Sequence, residues 1–173
     1  MIRSGHFLGA AALWLLAETV VAQTLWLENA ENGPAYVSDG TSGNYDLIQS
    51  DVAAEGNFAF HLANPGASDD WFALTQPVAL QSDTKLFFQS RLRAATVNQF
   101  ARVQLSTDGG STWPAEIYAQ PGNGQPGEGN FALREIDLSS YASQTVNFRF
   151  LYEFTSGSYF PQATPQVGWF VDD

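Results

Sequence analysis

From Thr145 to Phe154 the chain alternates strictly with a period of two. Val146, Phe148, Phe150, Tyr152 and Phe154 fall on one side, and Thr145, Asn147, Arg149, Leu151 and Glu153 on the other. Residues two apart share a face in a strand but scatter around a helix, so this run reads as a strand with one apolar face. Lys85–Arg93 sets Leu86, Phe88 and Leu92 on one face, with Lys85, Gln89 and Arg91 near or on the other. Phe100–Leu105 sets Ala101, Val103 and Leu105 against Arg102 and Gln104. Strands apolar on one face only need a second layer to bury that face.

Shorter extended runs fill the rest of the chain: Thr24–Leu27 ending at Glu28, Phe58–Leu62, Trp71–Leu80, Ala115–Gln120, Phe131–Leu138 and Gly168–Asp173. Pro77 inside one of them marks an edge or a bulge. Asn29–Tyr45, Asn64–Asp70, Pro121–Asn130 and Ser156–Gln166 carry the Gly, Pro, Asn and Ser of loops. With 14% aromatic residues, 15 Gly and 8 Pro, the composition suits many strands joined by turns. Short antiparallel strands in that number predict an all-β, two-layer antiparallel β-sandwich of jelly-roll type, with a closed barrel as the rival. The last strand reads as cut short at Asp173, as in a fragment of a longer protein.

Ser106-Thr107-Asp108-Gly109-Gly110-Ser111-Thr112-Trp113 joins two of these strands. Glycine reaches positive φ at little cost, and an Asp side chain accepts from the backbone N–H groups that follow it, so Asp108 and Gly110 read as turn residues. Trp113 reads as an apolar plug beneath the turn. The pattern resembles an Asp-box hairpin, a structural motif of sialidases and many other secreted β-proteins. A sialidase would need several such boxes and a cluster of arginines, so Asp108 is read as a turn cap and not as a catalyst.

Met1–Ala22 reads as a secretory signal: Arg3 supplies the positive start, Phe7–Ala17 an apolar run too short to span a bilayer, and Val20-Val21-Ala22 a small-residue cleavage site. That leaves 23–173 as one β-sandwich domain. No other run approaches transmembrane length. A net charge of −11 with only seven Lys plus Arg argues against nucleic acid and anionic lipid as partners. The chain has no cysteine, so an exported domain of this size must be held by packing or by metal clips, which directs attention to calcium.

The order of motifs carries a whole-length resemblance. It runs through Gly56-Asn57-Phe58-Ala59-Phe60, Asp69-Asp70-Trp71-Phe72, the Ser106–Trp113 hairpin, Ile136-Asp137-Leu138 and Val146-Asn147-Phe148-Arg149-Phe150. It ends at Gly168-Trp169-Phe170-Val171-Asp172-Asp173. In these the chain resembles the MAM-like jelly-roll domains of secreted bacterial proteins, among them cleaved-adhesin modules of gingipain-type proteases, accessory domains of immune-inhibitor-A-type metallopeptidases and choice-of-anchor surface proteins. The resemblance implies a non-catalytic adhesion or carbohydrate-binding module holding structural calcium. It implies Glu28, Asp172 and Asp173 as ligands, with Asp51 as the middle acid and Asp70 as second choice.

Other chemistry finds little support. His61 is the lone histidine after the leader, with no Gly-x-Ser-x-Gly elbow or His-Glu-x-x-His pattern. Glu116, Glu128, Glu135 and Glu153 are scattered acids, from which a glycosidase pair can be drawn in no marked spacing. Tyr118, Tyr159 and Phe160, next to loops, are the candidates for an exposed platform on which a ligand stacks. The expectation is a secreted, calcium-stabilised module for adhesion or for binding glycan or a cell-surface protein. The alternative is the accessory domain of a secreted peptidase or other hydrolase whose catalytic domain lies elsewhere in the polypeptide.

Overall fold

The computed structural model describes residues 26–43 and 45–173. The leader read over 1–22 lies outside them. Two antiparallel sheets pack face to face as a sandwich. The strands are β1 (Val37–Asp39), β2 (Ile48–Gln49), β3 (Ala59–Leu62), β4 (Asp70–Leu74), β5 (Val78–Ala79) and β6 (Lys85–Ala95), then β7 (Gln99–Ser106), β8 (Ala115–Pro121), β9 (Gly124–Gly127), β10 (Ala132–Asp137), β11 (Thr145–Phe154) and β12 (Trp169–Asp172). One sheet runs β1-β4-β11-β7-β8, with β5 also on β11. The other runs β10-β6-β12-β3-β2, with β9 also on β6.

Register decides which side chains meet. In the first sheet Phe72, Phe150 and Val103 lie side by side and face inward, while Trp71, Leu151 and Arg102 form the next row and face outward. In the second sheet Leu62, Trp169 and Leu92 face inward, and His61, Phe170 and Arg91 outward. The two inner faces meet in an aromatic core. Phe150 lies 4.8 Å from Phe72, 5.5 Å from Phe88 and 5.8 Å from Trp169, ring to ring.

The three long alternating runs form β6, β7 and β11 as expected. The edges depart from expectation. Trp26 and Leu27 form no strand, and β1 instead comes from a segment read as loop. Pro77 separates β4 from β5, and β11 pairs with both: Tyr152–Arg149 with β4 and Val146–Thr145 with β5. β9 rises within the Gly/Pro loop after β8 and leans on β6 with a shifted register, its pairing carried by backbone rather than by any apolar pattern.

Candidate functional site

The β7–β8 hairpin positions the first element of the site. Asp108 accepts from the backbone N–H of Thr112 at 2.9 Å, from the Thr112 hydroxyl at 2.7 Å and from the Ser106 hydroxyl at 2.7 Å. These bonds hold its carboxyl at a pKa of about 2, below the usual carboxylate range. Gly109 and Gly110 take φ of 73° and 86°, the left-handed region that glycine enters freely. The hairpin thus directs Trp113 back over the outer face of the first sheet. The indole is half-buried there, packs against Gly110 of the turn, and lies outside the core cluster, over the sheet's exterior.

Trp71 of β4 stands on the same outer face. The loop after β1 lies against its ring, and Gly40 is required there: a Cβ at that position would run into the indole. Between Trp71 and Trp113 the sheet surface sinks into a groove of about 410 Å³, lined also by Ser38, Ala73, Thr75, Gly110 and Asn147. Asn147 donates to the Leu74 carbonyl at 3.3 Å, and its amide oxygen has no protein partner among the described residues. Arg149, beside Ala73 in the register, sets its guanidinium 5.9 Å from the Trp71 ring centre and 5.0 Å from that of Trp113. Its Nε donates to Gln104 Oε1 at 2.9 Å, and its Nη2 donates to the same oxygen. Burial pushes the guanidinium below its ordinary pKa, with Asp69 acting in the opposite direction. Leu151, the apolar member of an otherwise polar face, is buried next to Trp71 in the register.

The candidate stacking residues lie elsewhere. Tyr118 is half-buried against the core, 5.4 Å from Phe88 and 6.4 Å from Trp169, with the Arg134 guanidinium 6.0 Å from its ring. Tyr159 packs on Phe154 at 4.7 Å, and the Phe160 N–H donates to Gln99 Oε1 at 3.1 Å. Sequence reasoning passed over Trp71 and Trp113 because tryptophans in a small sandwich are mostly interior.

The acids sort into two groups. At one pole Asp172 Oδ2 accepts from the N–H groups of Ala54 at 2.7 Å and Glu55 at 3.1 Å, while Glu31 Oε1 accepts from those of Asn57 at 2.7 Å and Phe58 at 2.8 Å. The segment after Trp26, the loop before β3 and the end of β12 therefore meet. Burial raises the Asp173 pKa, and Glu55 and Glu31 raise it further. Glu28 is 8% exposed; its Oε1 accepts from the Ala30 N–H at 3.1 Å, and its Oε2 is buried with no partner. Burial raises its pKa also. Among the described residues no three His, Asp or Glu form a ready metal cluster, so any cation here would draw on backbone carbonyls and water as well.

Asp51 does not join that pole. It borders a cleft of about 260 Å³ with Tyr45, Asp46, Gln49, His61 and Phe170. His61 is stacked on Phe170 at 4.2 Å, and its Nε2 lies 2.8 Å from the Val167 carbonyl oxygen. Burial lowers its pKa. Asp70, the second choice, is fully buried with both oxygens committed: Oδ1 to the N–H and hydroxyl of Ser42, Oδ2 to the Tyr45 hydroxyl at 2.8 Å. The four scattered glutamates are all ion-paired, Glu116 and Glu153 with Arg102, Glu128 with Arg134 and Glu135 with Lys85.

No family model matches the chain, and no curated protein does. Solved structures match at low identity. The carbohydrate-binding module TmCBM61 in complex with β-1,4-galactotriose is 17% identical with a TM-score of 0.44, covering 87% of this chain and 96% of its own. The glycoside hydrolase domain of Endo-D from Streptococcus pneumoniae R6 is 12% identical with a TM-score of 0.44, over 79% of this chain. A glycoside hydrolase family 43 arabinoxylan arabinofuranohydrolase from Bacillus subtilis, in complex with cellotetraose, is 16% identical with a TM-score of 0.43, over 80% of this chain. This chain spans 20% and 26% of the lengths of those two hydrolases. No helix among the described residues is long and apolar enough to cross a membrane.

Proposed function

We propose that this chain is a secreted, non-catalytic β-sandwich module that binds glycan in the groove between Trp71 and Trp113. One observation carries the reading: two half-buried indoles stand over the exterior of one sheet with hydrogen-bonding groups between them. A pyranose presents an apolar C–H face and a polar rim, which matches indole walls around a floor bearing Asn147 and Ser38. The groove of about 410 Å³ lies within the ~300–1,000 Å³ of small-ligand sites, and aromatic walls with few polar groups are their usual makeup. Binding without bond cleavage is supported by the commitment of Glu116, Glu128, Glu135 and Glu153 to ion pairs, and by His61 being buried and stacked.

A structural calcium ion at the acidic pole belongs to the same reading. A hard dication would supply the partner that Glu28 Oε2 lacks and offset the mutual repulsion of Asp173, Glu55 and Glu31. Glu28, Asp172 and Asp173 are the proposed carboxylate donors; no three acids cluster among the described residues, so backbone carbonyls and water would have to complete the shell, and Asp51 faces the His61 cleft instead.

Affinity gel electrophoresis against a polysaccharide panel tests the binding. Retardation by at least one polysaccharide is expected, with Trp71→Ala and Trp113→Ala each weakening it about tenfold or more while melting within a few degrees of the parent, as removal of a central aromatic contact does. Free mobility in every gel would remove the reading.

A further inference from the structure

Cations are scarce in this chain, and most of those among the described residues are accounted for. Lys85, Arg102 and Arg134 pair with glutamates, and Arg91 and Arg93 donate to the Glu128 carbonyl. Arg149 differs. Among the described residues no carboxylate lies within 4.0 Å of it, and its contacts are one neutral amide oxygen and two indole rings. Its Nη1 has no protein partner among the described residues, so the Nη1–Nη2 edge still offers N–H groups. That edge has the geometry that grips a carboxylate with two parallel bonds. Gln104 fixes the plane of the guanidinium, and partial burial keeps water from screening it. Ala73, next to Arg149 in the register, belongs to the groove floor. Arg149 stands beside the residues that line the groove, with Asp69 the carboxylate that acts on it, so its open edge can serve as a selectivity device there.

We infer that the glycan bound in this groove carries a uronic acid, whose carboxylate is held by Arg149 while neighbouring sugar faces rest on Trp71 and Trp113. The inference rests on the groove being the glycan site. Net charge narrows it further. At −11 the protein repels a polyanion over a range of about a Debye length, ~8 Å at physiological salt, so a dense polyuronate approaches against the field. One guanidinium between two apolar walls suits one acid in an otherwise neutral chain.

The test compares each polysaccharide with its own carboxyl-reduced form, which keeps the sugar linkages and removes the charge. Glucuronoxylan and gum arabic, with scattered glucuronic acid, are run native and reduced in affinity gels with the full chain, beside polygalacturonate and a neutral galactan. At least one glucuronic-acid polymer is expected to bind about tenfold more tightly native than reduced, the worth of one charge-assisted contact, and more tightly than polygalacturonate. Arg149→Gln is expected to bind both forms alike, while Arg149→Lys, which keeps the charge but not the fork, retains part of the difference. If Arg149→Gln fails to fold, the comparison on the parent protein decides alone. Equal binding of native and reduced polymers, or retention of the galactan only, overturns the inference and leaves the glycan reading standing. Tighter binding to polygalacturonate overturns the single-acid form of the inference. Retention by none of the polymers overturns both.

Discussion

Asp108 shows how much one exposed side chain can organise. Its bonds to Ser106 and Thr112 hold the hairpin that carries Trp113, and they favour the carboxylate form. Its contribution to stability is therefore complete above the ordinary Asp value of 3.8 and disappears as pH falls through about 2. Thermal melts of the parent and Asp108→Asn should differ most at neutral pH, and the gap should close between pH 4 and pH 2; a gap independent of pH would show that the charge is irrelevant. Residue chemistry was legible here because turn residues declare themselves by type and spacing. The tryptophans were not legible in the same way. In Trp71-Phe72-Ala73-Leu74 both alternate sets are apolar, so no pattern says which faces out. Leu151 was the available hint: an apolar residue on a polar face, adjacent in the finished sheet to Trp71.

Among the elements, β11 joins most of the first sheet, pairing with β4, β5 and β7. Its inward side supplies Phe150 to the aromatic core, and its outward side supplies Asn147 and Arg149 to the groove region. Phe150→Ala should destabilise by about 3–5 kcal/mol, as for large buried aromatics, because three packed rings lose a common neighbour. Urea unfolding reads that directly; a loss under about 1 kcal/mol would mean the core closes over the space. Long strands were legible because ten residues of alternation have one explanation. β1, β2, β5 and β9 are two to four residues long, too short to show a period, and exist because a neighbouring strand offers them hydrogen bonds. Their positions are set by tertiary pairing, which no local pattern encodes.

For the molecule as a whole, the acidic pole joins the segment after Trp26, the loop before β3 and the end of β12. Glu28 and Asp172 are both buried, and burial raises both pKa values, so at neutral pH each carries a charge that the folded state would better hold protonated or paired. The sign follows: with no cation, this pole favours folding more as pH falls through the raised values and less as pH rises through them. Bound calcium would remove that penalty. Excess EDTA should then lower Tm by about 5–10 °C relative to calcium at a hundred times its dissociation constant. Glu28→Gln should abolish the calcium shift while melting no lower than the parent in EDTA, since a buried charge is gone. An unchanged Tm on chelation would take calcium out of the account. At that pole Asp173 lies near Glu31 and Glu55, acids the resemblance did not name, while Asp51 borders the His61 cleft.

Each indole of the groove is backed by a glycine, Trp71 by Gly40 and Trp113 by Gly110, and the guanidinium between them is pinned by Gln104. Walls set in place before a guest arrives lose little rotamer freedom on its arrival. If the groove is the glycan site proposed above, walls of this kind should hold a short stretch of sugar at modest affinity and release it quickly.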